Sequence, residues 1–252
     1  MEIAYFTNVG NVRRNNEDAL LIQDKIIWNI SLNKVYFEYI DSDYILLAVA
    51  DGMGGHKRGE VAARITLETL KRLKPKTIEE IRLSIEEARK RLEMYVKEFP
   101  SAMGLGTALA GLVKNGYRGV VFNVGDCRVY KKIGKFLRRL TKDHTLAEEL
   151  VNKGLLTEEE VKFYPNRNIL TSAVIGDNYQ TQMEIYLKEI NIKKNDIYLI
   201  CSDGLWEVFE NDELERLFNS DDIKEISENI LNELKKRVLK DNVSFIIAKC
   251  KK

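Results

Sequence analysis

The sequence predicts an α+β fold in which two antiparallel β-sheets are stacked and pairs of helices cover their outer faces. Predicted strands come in consecutive groups, predicted helices follow as pairs between those groups, and the strand–helix–strand alternation of a doubly wound parallel sheet is absent. The chain has 252 residues, no low-complexity segment and only three prolines. We therefore expect one continuous domain over residues 1–252.

The first half of the chain begins with strands and continues with helices. Runs rich in Ile, Val, Leu and aromatic residues, separated by turn signals, predict strands at 18–30, 34–40 and 44–50. Two helices follow, and in the second one apolar residues recur every three or four positions between Ile78 and Tyr95. Such a stripe can cover a sheet or dock a partner helix, and covering a sheet is the favoured interpretation.

The second half repeats this arrangement. Four strands with glycine-bearing turns between them form a predicted meander, at 105–112, 117–124, 128–133 and 136–140. The remaining elements are a helical stretch, two strands, a helix and a last strand, at 145–163, 181–187, 196–201, 223–238 and 243–250. The segment 23–43 predicts an extended hairpin of unknown purpose.

Composition excludes several classes of function. With 40 basic and 39 acidic residues the net charge is +1, which argues against a general affinity for nucleic acid or for an anionic membrane. The longest uncharged run, 99–113, is interrupted by glycines and a proline, and the first residues do not resemble a signal peptide. Three widely spaced cysteines predict no disulfide framework. We expect a monomer in the reducing cytoplasm, with neither a nucleic-acid nor a membrane partner.

Acidic residues stand at the ends of three apolar strands. Asp51 and Asp203 each end a strand and precede a glycine, Asp241 opens the last strand, and Glu17 and Asp18 precede the first long one. Carboxylates that converge at one sheet rim repel each other and require cations, and oxygen ligands select Mg²⁺ or Mn²⁺. Each Asp-Gly pair alone is better explained as an ordinary turn, whereas their repetition on apolar strands favours a metal site.

One arginine lies close to two of these acids in sequence. The guanidinium of Arg13 presents the planar set of donors that binds phosphate, and Glu17 and Asp18 follow within five residues. A surface pair formed by Arg13 and Arg14 is an equally good interpretation of this segment taken alone.

Other catalytic motifs fail. The glycine-rich segments 54–60 and 104–109 lack, respectively, the lysine of a phosphate-binding loop and the final glycine of a dinucleotide motif. His56 and His144 are the only histidines, so a histidine-rich zinc site is excluded.

Eight motifs, in order along nearly the whole chain, resemble those of the metal-dependent type 2C serine/threonine protein phosphatases in their bacterial form. They are VRRNNEDA (12–19), VADGMGGHKRGEVAA (49–63), GLGTALAGLV (104–113), FNVGDCRVYK (122–131), LTKDHT (140–145), RNILTSAVIG (167–176), LICSDGLWE (199–207) and KDNVSFI (240–246). The resemblance implies a four-layer α-β-β-α sandwich. It also implies that a water bridging two metal ions hydrolyses phosphoserine and phosphothreonine on phosphorylated proteins, in opposition to a serine/threonine kinase.

The resemblance also implies which residues act. The metal-binding residues would be Glu17, Asp18, Asp51, Gly52, Asp126, Asp203 and Asp241. Asp51 would bridge two Mn²⁺ or Mg²⁺ ions, and Asp203 and Asp241 would complete the first ion. These three aspartates and Arg13 would form the catalytic set, with Arg13 holding the substrate phosphate.

The remaining implied roles concern the second ion and its surroundings. The carbonyl of Gly52 and the side chain of Glu17 would serve that ion, and Asp18 would hydrogen-bond waters around the metals. Asp126, in the VGDCR motif, would help to hold a third, weaker ion.

One position departs from the family pattern. Eukaryotic relatives often have a histidine, proposed as general acid, where this chain has Met53. His56 is either a structural residue at the start of a helix, which is favoured, or a proton donor, and His144 is interpreted as structural. The stretch 144–167 resembles the flap beside the active site. Two other functions stay open: a phosphoprotein-binding scaffold without turnover, and a hydrolase of small phosphoesters.

Overall fold

The computed structural model describes residues 1–54, 58–177 and 182–251, and its secondary structure follows the predicted order of strands and helices. The strands are β1 (Glu2–Asn8), β2 (Ala19–Ile22), β3 (Lys25–Trp28), β4 (Tyr36–Tyr39), β5 (Tyr44–Met53), β6 (Gly106–Asn115), β7 (Arg118–Val124), β8 (Arg128–Ile133), β9 (Phe136–Arg139), β10 (Val174–Ile175), β11 (Tyr186–Asn191), β12 (Ile197–Cys201) and β13 (Val243–Lys249). The helices are α1 (Gly59–Leu73), α2 (Ile78–Glu98), α3 (Leu146–Asn152), α4 (Glu158–Val161), α5 (Asp203–Trp206), α6 (Asn211–Leu217) and α7 (Ile223–Leu234), with a 3₁₀ turn at Pro100–Ala102.

The strands form two antiparallel sheets, as predicted. One sheet has the strand order β4-β1-β13-β12-β8-β9. The other has the order β11-β7-β6-β5-β2-β3, with β10 paired to the end of β6. The two predicted glycine turns are confirmed, because Gly116 and Gly134 adopt positive φ values of 63° and 59° between paired strands.

Alternation along the central strands explains the four layers. In β5, Leu47 and Val49 face the core between the sheets, whereas Leu46 and Ala48 face the core beneath α1 and α2. Successive side chains of a strand point to opposite faces, so a strand buried on both sides is apolar throughout. The four-layer α-β-β-α sandwich is thereby confirmed.

The helical stripe covers a sheet, as favoured. Ile81, Ile85, Ala88 and Leu92 of α2 are fully buried in the core that also contains residues of β5 and β6. On the opposite side, apolar residues of α6 and α7 share a core with β1 and β13. In the described residues, no helix is long and apolar enough to cross a bilayer.

Several predicted boundaries are wrong. The predicted strand 18–30 is the hairpin β2–β3, because Gln23 turns the chain with a φ of 57° and bonds through its side-chain amide to β5. The segment 23–43 is not one hairpin, since β3 pairs with β2 in one sheet and β4 pairs with β1 in the other. The predicted helical stretch 145–163 consists of the two short helices α3 and α4.

Other differences concern elements that the sequence patterns did not reveal. β1, α5 and α6 were not predicted, and β11 lies a few residues beyond the predicted strand 181–187, of which Thr181 is outside the described residues. β1 is buried on both faces, and the two short helices end too soon to show a helical period.

Candidate active site

Strand ends and loops from both sheets enclose a cavity of about 960 Å³. The predicted site residues that line it are Arg13, Glu17, Asp51, Gly52, Asp126, Asp203 and Asp241. Asp18 does not line the cavity and is fully buried beside it. The structure therefore brings together residues from segments that are up to 228 positions apart in sequence.

The end of β5 presents Asp51 to this cavity. Its backbone carbonyl accepts a hydrogen bond from Thr107 Oγ1 at 2.8 Å, which fastens β5 to the neighbouring strand β6. The next residue, Gly52, donates its N–H to the Glu17 carbonyl at 3.2 Å. A Cβ on Gly52 would overlap the backbone carbonyl of Gly59, so the glycine allows the start of α1 to pack directly on the end of β5.

A second close approach places Asp203 beside Asp241. Gly204 follows Asp203 in α5, and a Cβ at that position would overlap the carbonyl oxygen of Asn242. The start of α5 therefore rests on the start of β13, where Asp241 and Asn242 lie. Both Asp-Gly pairs are required by close backbone packing rather than by ordinary turns.

Asn242 is a residue of this site that the sequence analysis did not single out. Its side-chain oxygen accepts a hydrogen bond from the Glu17 N–H at 2.8 Å, and its Nδ2 donates to the carbonyls of Val9 and Asn15 at 2.9 and 3.0 Å. Asn242 thus fastens the loop that bears Arg13 and Glu17 to the start of β13. The only sequence signal for it was its place directly after Asp241 in the motif KDNVSFI.

Asp18 belongs to a buried hydroxyl network. Its Oδ2 accepts a hydrogen bond from Ser202 Oγ at 2.8 Å. Ser202 Oγ in turn accepts from the Ser244 N–H at 3.1 Å, and Ser244 Oγ donates to Thr7 Oγ1 at 2.8 Å. In the part of the chain that the structure describes, Asp18 Oδ1 and Asp203 Oδ1 are buried without a hydrogen-bond partner. A buried carboxylate oxygen without a partner is unfavourable unless a cation or a water completes it.

The carboxyl groups raise one another's pKa values. Burial, followed by the charges of Asp18 and Asp203, raises the pKa of Asp51 well above its usual range. Burial, followed by the charge of Asp126, does the same for the pKa of Asp203. Burial also raises the pKa of Glu17 to about 7, of Asp18 to about 6 and of Asp126 to about 7.

Arg13 and Asp241 form an ion pair. Arg13 Nη2 donates to Asp241 Oδ2 at 2.6 Å, and both side chains are more than a third exposed. The pairing and the charge of Asp241 raise the pKa of Arg13. The residue expected to hold phosphate thus neutralises a residue expected to hold metal.

The donor set fits a hard divalent cation. It consists of carboxylate and carbonyl oxygens, two of which are buried without a partner. Among residues 1–54, 58–177 and 182–251, no three His, Cys, Asp or Glu side chains converge on one point as a complete ligand set.

The remaining predicted residues have distinct positions. Met53 ends β5 and lines the cavity, and His56 lies outside the described residues. His144 is buried, and its Nδ1 accepts the Gly125 N–H at 3.0 Å, so its contact is structural. The expected flap contains α3 and α4, and Asn168 and Leu170 just beyond it line the cavity.

Known proteins share this sequence and this fold. The family model for protein phosphatase 2C matches residues 34–245. The serine/threonine phosphatase stp of Listeria monocytogenes is 31% identical over 229 residues, which are 87% of this chain and 84% of that protein. The crystal structure of the serine/threonine phosphatase PstP/Ppp of Mycobacterium tuberculosis has a TM-score of 0.83 and 25% identity, with complete coverage of both chains. A structure of the PstP catalytic domain in complex with two manganese ions has a TM-score of 0.80 and 25% identity, again with complete coverage of both chains.

The sandwich fold and its carboxylate-lined cavity define a metal-dependent phosphatase. The chain belongs to the protein phosphatase 2C family. It is a protein serine/threonine phosphatase, and this result favours the enzyme over the binding scaffold that the sequence left open.

Proposed function

We propose that Asp51, Asp203 and Asp241, with Glu17 and the carbonyl of Gly52, hold two Mn²⁺ or Mg²⁺ ions at which phosphoserine and phosphothreonine are hydrolysed. The observation that supports this most strongly is the convergence of Glu17, Asp51, Asp203 and Asp241 on one cavity. Asp203 Oδ1 is also buried there without a hydrogen-bond partner among the described residues. Ions bound there would lower the pKa of a water molecule and offset the negative charge on the phosphoryl oxygens. The structure of PstP with two manganese ions supports the proposed number of ions.

The charge balance of the cavity supports an anionic substrate only when cations are bound. Among the described lining residues, six carboxylates and three arginines amount to a formal charge of −3 when all are ionised. Two divalent cations would change this to +1. A phosphate dianion would then be attracted to a cavity that otherwise repels it.

The chain's own side chains divide the remaining work. Arg13 would leave Asp241 and donate to the phosphoryl oxygens, which its planar set of donors suits. Asp18, held by Ser202, would orient waters at the rim of the metal site. Met53 has no proton to give, so we propose that the leaving alkoxide takes its proton from water in the open cavity.

The decisive test compares Asp203→Asn with a matched surface variant. Asp212→Asn removes an exposed carboxylate of α6 that forms an ion pair with Arg216 of its own helix. With a phosphothreonine peptide and Mn²⁺, we expect phosphate release from the parent and from Asp212→Asn, and at least about a hundredfold loss in Asp203→Asn. Substantial activity in Asp203→Asn would remove this residue from the metal site.

The substrate class has its own test. The metal site is indifferent to what bears the phosphate, so small phosphoesters must be compared with peptides directly. We expect kcat/KM for a phosphothreonine peptide to exceed that for p-nitrophenyl phosphate. The reverse order would favour the small-phosphoester hydrolase.

We also propose a cellular setting. Phosphoserine must be resupplied for such an enzyme to act repeatedly, which supports a serine/threonine kinase as its counterpart. Cys127, Cys201 and Cys250 are buried free thiols, which supports a reducing cytoplasm. We propose that the enzyme acts as a monomer, which its mass in size-exclusion chromatography would test.

A further inference from the structure

Trp206 connects the backbones of two acidic residues that line the cavity, Asp126 and Asp203. It is the last residue of α5, the one-turn helix whose first residue is Asp203. Its indole Nε1 donates a hydrogen bond of 3.0 Å to the backbone carbonyl of Asp126. One helical turn and one hydrogen bond therefore join the backbone of Asp203 to the backbone of Asp126.

The indole ring is itself held in place by Arg128. The Arg128 guanidinium carbon lies 3.4 Å from the centroid of the Trp206 ring. Asp143 fixes that guanidinium, accepting from Nε at 3.1 Å and from Nη2 at 2.6 Å, and Tyr130 OH accepts from Nη1 at 3.1 Å. A guanidinium with all these partners has little freedom to move, so the ring it stacks on is fixed as well.

The turn that bears Asp126 is held from its other side too. Gly125 donates its N–H to His144 Nδ1 at 3.0 Å, and the Gly125 carbonyl accepts from the His144 N–H at 2.9 Å and from Asn123 Nδ2 at 3.1 Å. Gly125 has a φ of +92°, and a Cβ there would lie 2.6 Å from the Ala108 Cβ. The turn is therefore anchored to its own sheet, and Trp206 adds the contact from α5.

We propose that Trp206 is a positioning residue that sets the separation of the Asp126 and Asp203 carboxylates, so that these two can share a third divalent cation, bound more weakly than the two ions of the proposed function. The proposal rests on the metal site of the proposed function. The geometry supports it, because Asp126 and Asp203 both line the same cavity. The motif LICSDGLWE contains Trp206 but does not indicate this role, which follows from the indole hydrogen bond to Asp126.

The test removes the indole N–H and keeps an aromatic ring. Trp206→Phe retains a ring for Arg128 to stack on. The matched control is Trp28→Phe, because Trp28 is the other tryptophan of the chain and also stacks on an arginine, Arg64, at 4.8 Å. Mn²⁺ titration of the full chain by calorimetry, with the melting temperature measured in parallel, compares both variants with the parent and with Asp203→Asn.

We expect Trp206→Phe to weaken the third and most weakly bound Mn²⁺ by about three- to tenfold, which corresponds to the loss of one hydrogen bond, while the two tighter Mn²⁺ ions are unaffected. Trp28→Phe should match the parent. Unchanged affinity for the weakest Mn²⁺, or an equal loss for every ion, would overturn the positioning role. If Asp203→Asn leaves all Mn²⁺ affinities unchanged, the proposed metal site is wrong and the inference falls with it.

A second variant covers the case in which Trp206→Phe does not fold. Benzothienylalanine has sulfur in place of the indole N–H and nearly the same shape, and in a Trp28→Phe background it replaces position 206 alone. We expect the same selective loss of the weakest Mn²⁺ with the parent's melting temperature. Parent-like Mn²⁺ binding in this protein would also overturn the proposal.

Discussion

At the scale of single residues, Arg13 is bonded to Asp241 in the structure and is proposed to bind the substrate phosphate. The ion pair is more than a third exposed on both sides, so it contributes little and is easily broken. In the proposed site, phosphate binding by Arg13 and metal binding by Asp241 would each require this ion pair to break, so mutation of Arg13 should change the two affinities differently.

We expect Arg13→Ala to raise the KM for a phosphothreonine peptide by about ten- to a hundredfold, because charged hydrogen bonds to phosphate are lost. Its Mn²⁺ affinity should change by no more than about fivefold, and in the direction of tighter binding, because Asp241 is released. Arg13→Lys, which keeps the charge and loses the planar donor set, should lie between the two. An unchanged KM in Arg13→Ala would exclude Arg13 from the phosphate site.

Asp51 gives the second prediction at this scale. Burial, followed by the charges of Asp18 and Asp203, raises the pKa of its carboxyl, so the ionised carboxylate destabilises the metal-free fold. We expect Asp51→Asn to abolish turnover and yet to raise the melting temperature of the metal-free protein by about 2–5 °C. Asp212→Asn on the exposed face of α6 should change neither. A lower melting temperature in Asp51→Asn would contradict the proposed repulsion.

At the scale of elements, the loop before β2 is positioned by the start of β13. Asn242 makes three side-chain hydrogen bonds to that loop, from a position near the other end of the chain. The loop bears both Arg13 and Glu17, so its placement would set the proposed phosphate site and the proposed metal site together. Loss of Asn242 should therefore affect stability, substrate binding and metal binding together.

We expect Asn242→Ala to lower the free energy of unfolding by about 2–4 kcal/mol, because the buried Asn242 side chain makes three hydrogen bonds that the alanine cannot make. Both the KM and the Mn²⁺ affinity should worsen. Asn219→Ala, at an exposed position between α6 and α7, is the control and should unfold in urea like the parent. If Asn242→Ala is as stable as the parent, the loop is held by other contacts.

The helix α2, which contains none of the proposed site residues, gives a second prediction at the scale of elements. Ile85 is fully buried against the sheet, whereas Leu83 on the same helix is 53% exposed. We expect Ile85→Ala to lower the free energy of unfolding by about 2–5 kcal/mol and Leu83→Ala to lower it by less than about 0.5 kcal/mol. Urea titration measures both. Equal losses would mean that the exposed side of α2 is covered in solution, as the partner-helix interpretation requires.

At the scale of the whole molecule, the site couples stability to pH. The pKa values of Glu17 and Asp126 are raised to about 7 and that of Asp18 to about 6, above their usual values near 4. The folded chain therefore binds more protons than the unfolded chain between about pH 4 and 7. As the pH rises through that window, these groups lower the free energy of unfolding of the metal-free protein. Burial lowers the pKa of His144, and its effect on stability has the opposite sign: the free energy of unfolding falls as the pH drops below 6.5, the usual pKa of histidine.

We expect Mn²⁺ to isolate the contribution of the carboxyls, because His144 is not among the proposed ligands. The rise in melting temperature caused by Mn²⁺ should grow as the pH is raised from about 5 to about 8, since deprotonated carboxylates bind the ion. Thermal unfolding at four pH values with and without Mn²⁺ measures it. A metal effect that does not depend on pH would contradict the raised pKa values.

Much of this molecule could be predicted from local sequence. The α2 stripe and the Gly116 and Gly134 turns were confirmed, because they arise from helical periodicity and from backbone conformations that depend on neighbours in the chain. The motifs around Asp51 and Asp203 could also be recognised, because buried strands that end in Asp-Gly are a local pattern.

Other features could not be read from any local pattern. β1 and the short helix α5 have no clear period of their own, and they form because neighbours distant in sequence bury them. The Asn242 bonds to the loop before β2 and the Trp206 bond to Asp126 join residues 80 to 233 positions apart. Hydrogen bonds over such distances depend on how the two sheets are stacked.

The amino-acid order alone therefore predicted the sandwich class, the family and the carboxylates of the proposed metal site, because periodicity and motifs are properties of short segments. The tertiary structure decided which residues hold the site together. Arg13 bonds the Asp241 carboxylate, Asn242 bonds the Glu17 N–H, and Trp206 bonds the Asp126 carbonyl. Each partner is selected by backbone packing at the ends of strands. Side chains come within hydrogen-bonding distance there only after the whole chain has folded, since no segment by itself contains both members of a pair.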